Sequence, residues 1–233
     1  MLVYVVGCVR EHIVGGHEAK PHSRPFMVYV SYLGPVHNTW KACDGFLVRE
    51  DFVMTAAHCK GKSMRVYTGV HNRRKDIHKE SELNVVDIHA HPDYSENFSD
   101  HRNDIMLLKL GPKATLSDWV QPLELPRTEN EAVPETNCLV PGWGLTDFSK
   151  DGKRSDVLRE VNVTVDSSLN CDTPNTICSH GPKGPFMGDS GGPLVCGNAA
   201  YGVVSTFVLE TKTYKYAQIS RFRHWINQIM NSV

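Results

Sequence analysis

The sequence has no apolar run long enough to cross a bilayer: the longest, Leu2 to Val9, is eight residues, against the roughly 20 a spanning helix needs. It has no charge excess either, with 25 Lys and Arg against 26 Asp and Glu and a formal charge of −1, which argues against a general nucleic-acid binder. None of the seven cysteines forms a C-x-x-C pair, so a zinc ribbon or a thioredoxin-type redox site is not supported. Internal repeats and low-complexity tracts are missing, which excludes solenoids and fibrous chains. No Gly-rich phosphate loop precedes a helix, so no nucleotide or other cofactor is expected.

What is there is an ordinary globular balance. The 233 residues are 40% apolar and 22% charged, enough chain and enough apolar surface for a substantial core. With Cys8 set aside, Cys43, Cys59, Cys138, Cys171, Cys178 and Cys196 make an even six. They read as three disulfides formed in an oxidising compartment; six reduced core thiols are the alternative. Residues 1–12 read as a partial signal or propeptide, atypical because no Lys or Arg precedes the apolar stretch; a first β-strand is the competing reading. Asn97 and Asn162 open glycosylation sequons.

Short runs rich in Val, Tyr, Phe and Thr, such as 26–32 and 202–208, are punctuated by Gly, Pro, Asn and Asp, the pattern of strands and turns. The single convincing helix follows Ser220, a good N-cap, with Phe222, Trp225, Ile226, Ile229 and Met230 at steps of three and four. A polar, Pro-bearing stretch over 111–135 separates two β-rich halves. One window is unbalanced: between Lys60 and Lys79 seven Lys and Arg face a single acid, Asp76. A solvated basic face and an anionic-polymer site are the two readings.

Chemistry concentrates in three segments. Gly188-Asp189-Ser190-Gly191-Gly192-Pro193 flanks a serine with glycines, so a ligand can approach the backbone closely. Thr55-Ala56-Ala57-His58-Cys59 sets a histidine beside a cysteine, and Asp104 opens the apolar run Ile105-Met106-Leu107-Leu108. A hydroxyl, an imidazole to take its proton and a carboxylate to orient that imidazole are what nucleophilic acyl transfer needs. His89 and His91 resemble a chelate, but a metal is not expected there.

With Ile13-Val14-Gly15-Gly16 and Pro141-Gly142-Trp143-Gly144 added, the chain resembles trypsin/chymotrypsin-like serine proteases over residues 13–233, in the order His, Asp, Ser of that type. Residues Gly15 to Pro25 are similar to granzymes and chymase-like mast-cell proteases. The resemblance implies an all-β fold of two six-stranded antiparallel barrels with a C-terminal α-helix, divided near 111–135. It implies a catalytic triad of His58, Asp104 and Ser190, an oxyanion hole from the Gly188 and Ser190 amides, and a zymogen cleaved before Ile13, whose new α-ammonium pairs with Asp189. It pairs Cys43 with Cys59, Cys138 with Cys196 and Cys171 with Cys178, while Phe186 stands where many relatives have a further cysteine. It places Gly184 at the floor of the specificity pocket, with Ser205, Phe207 and Tyr214 on its walls. Without an acid at Gly184, cleavage after Lys or Arg is disfavoured. Small aliphatic residues are expected there, with a chymase-like or Met/Leu-accepting pocket, or an occluded one, as alternatives. A secreted or granule enzyme is implied, with peptide or protein substrates, serpin-type inhibitors and heparin-like proteoglycan as partners. The competing function is a catalytically weak homologue that binds anionic glycans through residues 60–79.

Overall fold

The computed structural model describes residues 13–34, 38–95, 101–128, 137–148, 152–165, 171 and 173–232; Cys8 and Asn97 lie outside them. Thirteen strands and one α-helix follow one another: β1 (His17–Glu18), β2 (Met27–Leu33), β3 (Trp40–Arg49), β4 (Phe52–Thr55), β5 (Lys62–Thr68), β6 (Glu82–Ala90), β7 (Met106–Leu110), β8 (Asn137–Gly142), β9 (Arg159–Thr164), β10 (Thr176–His180), β11 (Pro193–Cys196), β12 (Ala199–Val208), β13 (Thr213–Gln218) and α1 (Arg223–Ser232).

Alternation of side chains at period two decides the inner faces. In β2, Val28, Val30 and Tyr32 are buried, whereas Tyr29, Ser31 and Leu33 face outward and are half-buried. Strands β2-β3-β4-β7-β6-β5 close into an antiparallel barrel, which leaves no unpaired edge. Its interior is filled by residues such as Phe46, Phe52, Met54, Val66 and Leu107.

The other half is a seven-stranded sheet in the order β1-β9-β8-β11-β12-β13-β10. Without the two-residue β1, six strands remain, and a bridge between Val165, just past β9, and Ser179 of β10 brings the two ends together. Val140, Val161, Leu194, Tyr214 and Tyr216 fill this second core, with Ile13 buried among them. A third cluster joins the halves: Met27 and Tyr67 from the first pack with Trp143 and Leu158 from the second. The Trp143 indole N–H donates to the His71 carbonyl at 3.0 Å, so this large ring is buried without an unmet donor.

The terminal helix starts later than the sequence suggests. Ser220 lies inside a 3₁₀ turn, Ile219–Phe222, and α1 begins at Arg223. Burial of Ile219, Ser220 and Phe222 tightens that turn, and the Ser220 hydroxyl accepts from Gln218 Nε2 at 3.2 Å rather than capping a helix. Ile226 is buried and Trp225, Ile229 and Met230 pack around it on the first core. Arg49 Nη1 donates to the Met230 carbonyl at 2.7 Å, supplying a partner to a last-turn oxygen. Among the described residues no helix is long and apolar enough to cross a membrane.

Candidate active site

Strand pairing brings His58 and Asp104 to one place. β4 pairs antiparallel with β7, Thr55 opposite Met106, so the residues just after β4 and just before β7 leave the sheet at the same end. His58 sits in the 3₁₀ turn Ala57–Cys59, and the disulfide from Cys59 to Cys43 ties that turn to β3. Asp104 is fully buried. Its Oδ1 accepts the His58 backbone N–H at 2.9 Å and its Oδ2 accepts from His58 Nδ1 at 2.7 Å. A carboxylate only accepts, so Nδ1 carries the proton and the lone pair stays on Nε2.

Ser205 completes the carboxylate's coordination by donating its hydroxyl to Asp104 Oδ2 at 2.5 Å. The resemblance places Ser205 on the pocket wall; beside the register shift between Val204 and Thr206, its hydroxyl points to Asp104. Burial alone would raise the Asp104 pKa, but His58 and the Ser205 hydroxyl outweigh it and hold the carboxyl below its usual range. Burial likewise works against a charged His58, and the Asp104 carboxylate overrides it and raises the imidazole above its ordinary value.

Ser190 lies between the two halves. Its carbonyl accepts the Asp44 N–H at 2.8 Å on the first-barrel side, and the N–H of the next residue, Gly191, donates to Val204 of β12 at 2.8 Å on the other. The Cys59 sulfur is 4.0 Å from the Ser190 carbonyl oxygen, which puts the serine segment beside the His58 turn. Gly188 has φ of +101°, a conformation that side chains strongly disfavour. It turns this peptide while its carbonyl accepts from Arg154 Nη2 at 2.8 Å.

Behind this segment are two groups that sequence reasoning missed. Arg154 also donates to the Ala42 carbonyl at 3.1 Å and the Trp143 carbonyl at 3.5 Å, stitching β3, the Trp143 turn and Gly188 together. Asp44 is fully buried, accepts the Trp143 N–H at 3.0 Å and lies 3.8 Å from Arg154 Nη2. Burial, with the neighbouring charge of Asp189 added, pushes its carboxyl well above the usual range. Asp189 is buried as well, taking the Gly144 N–H at 2.7 Å and the Phe186 N–H at 2.9 Å. Burial raises it to about 6 despite those two donors. A side chain at Gly142 would collide with both carboxylates, so only glycine fits there.

The expected pocket residues assemble around aromatic rings. A Cβ on Gly184 would lie 2.5–2.7 Å from Tyr214 ring atoms, so the Tyr214 ring rests directly on the Gly184 backbone. Phe207 stacks on Tyr214 with centroids 4.7 Å apart, on Phe148 at 5.5 Å, and edge-on to Phe186 at 5.3 Å. Phe148, not singled out in the sequence, and Phe186, noted there only for standing where many relatives have a further cysteine, join this stack.

Cys138 is bonded to Cys196 and Cys171 to Cys178. Asn162 is exposed on β9. His89 faces Asp87 at 3.3 Å, whereas His91 packs on Phe222 and Trp225, so each has a structural neighbour of its own. Donor atoms of His58, His101 and Asp104 lie within 4.8 Å of one another, but both Asp104 oxygens and His58 Nδ1 are engaged in the hydrogen bonds above. The basic window is broken up by acids from elsewhere: Asp156 holds Arg73 and Arg74, each at 2.7 Å, and Glu82 lies 3.5 Å from Arg65.

Fold and site together define a serine protease built on two β-layers, and the chain belongs to the trypsin family: residues 13–226 match the family described as Trypsin. More particularly, it is a trypsin-like serine endopeptidase related to granzymes and chymase. It is 44% identical over 230 residues to granzyme B of Rattus norvegicus, covering 94% of this chain and 91% of that one. It is 41% identical over 233 residues to chymase of Papio hamadryas, with coverage of 94% and 91%. The solved structure described as "Structure of GrC" superposes with a TM-score of 0.80 at 40% identity, covering 94% of this chain and 100% of that one.

Proposed function

We propose that the chain is a secreted or secretory-granule endopeptidase, made as a zymogen and activated by cleavage before Ile13, that accepts small aliphatic residues before the scissile bond. The observation that carries this reading is the buried Asp104 carboxylate fixing His58 beside the Ser190 segment. With Nδ1 held as donor, His58 Nε2 takes the Ser190 hydroxyl proton as Oγ attacks the substrate carbonyl carbon. The carbonyl electron pair moves to oxygen, toward the Gly188 and Ser190 amides, where each donor is worth roughly 3–4 kcal/mol. Collapse of the tetrahedral species breaks the C–N bond, and His58 returns the proton to the leaving amine. Water then attacks the acyl-enzyme by the same relay, freeing the acid and restoring Ser190.

The Tyr214–Phe207 stack over Gly184 supports the small-residue preference, because those rings occupy space a large side chain would need. It also disfavours Lys and Arg, whose charge would be stripped of water against aromatic faces with no acid at Gly184. The test is a peptide library offered to the full chain after cleavage before Ile13. Hydrolysis after Ala or Val, abolished by Ser190→Ala, is expected. Equal residual hydrolysis by both proteins would refute the mechanism. Robust cleavage after Arg would refute the pocket reading.

The pocket makes a second prediction. Phe207→Gly removes the middle ring of the stack and frees Tyr214 to tilt. In kcat/KM, the Phe-to-Ala preference should rise at least about tenfold, the scale at which a hydrophobic pocket distinguishes side chains by size. An unchanged preference would show that Phe207 does not limit the pocket.

A further inference from the structure

A cleft of about 420 Å³ opens beside the candidate active site, bordered by Tyr29 of β2, Trp40 and Lys41 of β3, Arg65 and Tyr67 of β5, and Arg154. Its place relative to the chemistry follows from hydrogen bonds already given. Ser190 is bonded to Asp44 on one side, while Gly191 is bonded to Val204 on the other. The Val204 side leads along β12 to Phe207 and the Gly184 pocket, which takes the acyl half of a substrate. The Asp44 side leads back along β3 through Ala42, Lys41 and Trp40 into the cleft. Arg154 spans the junction, donating to both Ala42 and Gly188. A peptide that leaves its acyl half in the pocket therefore runs its amine half toward this cleft.

The cleft has one sign of charge. Among the described residues, three cations line it and no acidic residue does. Two carboxylates stand nearby. Glu82 lies 3.5 Å from Arg65 and accepts from the Tyr67 hydroxyl at 3.2 Å. Asp44 is buried behind Arg154 at 3.8 Å, in surroundings that favour its neutral form. Arg65 lies over the Trp40 ring at 4.9 Å and Arg154 over the Tyr29 ring at 5.6 Å. These contacts hold the guanidinium groups against aromatic faces and reduce the ordering cost of binding an anion. The volume suits a few side chains rather than a long polymer, and three extended residues reach about 10 Å.

We propose that this cleft binds the amine half of the substrate and selects Asp or Glu within the first three positions after the scissile bond, with Lys41, Arg65 and Arg154 as its cations. The proposal rests on the protease reading above and is tested separately from it. The probes are fluorescent nonapeptides that place Glu, Ala or Lys at those three positions. Their affinity is measured with the full chain carrying Ser190→Ala, after cleavage before Ile13. Glu should bind about five- to tenfold more tightly than Ala, and Lys more weakly than either, with the ranking compressed at about 1 M salt. Lys41→Glu combined with Arg65→Glu should reverse the ranking. Lys41→Gln with Arg65→Gln should flatten it, and serves if the charge-reversed protein does not fold. Equal affinities in the parent, or a ranking untouched by the substitutions, would overturn the proposal. So would a sulfated oligosaccharide that displaces all three peptides where they show no ranking, since that assigns the cations to polysaccharide. Turnover by the Ser190 protein is read in parallel. A ranking without turnover defeats the protease reading alone, and turnover without a ranking defeats the cleft alone.

Discussion

Asp104→Asn is expected to lower kcat by about four orders of magnitude, with a much smaller change in KM, the scale known for this carboxylate in triad enzymes. The carboxylate accepts three hydrogen bonds: from the His58 backbone, His58 Nδ1 and the Ser205 hydroxyl. An amide offers only one acceptor oxygen and presents N–H groups at its other end. If the oxygen keeps the backbone N–H, the amide nitrogen faces Nδ1 and stabilises the tautomer that carries its proton on Nε2, which cannot act as base toward Ser190. Ser205→Ala removes one donor and leaves the carboxylate intact, so a loss of about tenfold is expected.

The pH profile separates these roles. Asp104 raises the His58 pKa above its ordinary value, and His58 must be neutral to accept the serine proton. Activity should therefore rise as pH climbs through a midpoint above the ordinary ~6.5 of histidine. Removing the carboxylate's charge in Asp104→Asn should move that midpoint to lower pH while the plateau collapses. Stopped assays across pH 5 to 9 would show it. A plateau within tenfold of the parent, or a midpoint that does not move, would mean that Asp104 does not govern His58.

What the sequence reveals about the site is what lies in contiguous segments. The Thr55–Cys59 and Gly188–Pro193 segments carry their own signature because each needs small residues or a tethering cysteine next to a reactive side chain. Asp104 is legible because it abuts an apolar strand. Ser205 is not, since nothing in the run from Gly202 to Val208 marks the bulge that turns its hydroxyl toward Asp104. Asp44 reads as an ordinary polar position in a strand, and Arg154 as a solvated loop residue. Their burial arises only when the Trp143 turn and the serine segment fold over β3. Strand content and the terminal helix follow from periodicity, whereas the start of the helix does not. Ser220 has the chemistry of a cap, but packing of Ile219 and Phe222 on both sides draws it into a buried turn.

Cleavage before Ile13 is expected to raise kcat/KM by about 10²–10³, the cost of losing an oxyanion-hole donor, and to invert the pH dependence of stability. Asp189 is buried, and its two partners are uncharged amides of Gly144 and Phe186. Its pKa is accordingly raised to about 6, against about 3.9 for an unfolded aspartate. The folded, uncut chain thus binds more protons than the unfolded chain between those values, and its stability falls as pH rises from about 4 to 6. On the proposed activation, the Ile13 nitrogen of the cut chain would be an ammonium in the same buried region and would compensate the ionised carboxylate. That pairing would reverse the sign: Asp189 would drop below its unfolded value and the α-amine would rise above its ordinary ~8. The cut enzyme should keep this share of its stability through neutral pH and, besides the acid-side loss set by His58, lose activity at alkaline pH. Asp189→Asn should remove that residue's share of the acid-to-neutral decline of the uncut chain and leave cleavage without effect on rate. Thermal melting at pH 4.5 and 7 would read the first effect. The Tm drop is expected to be roughly 5 °C larger in the uncut parent than in its cut form or in Asp189→Asn, because Asp44, raised by its own burial, contributes a decline in all three. Parallel melting curves for cut and uncut parent at both pH values would show that the new terminus does not reach Asp189. The coupling from Ile13 to the Gly188 and Ser190 amides would then have to be sought elsewhere.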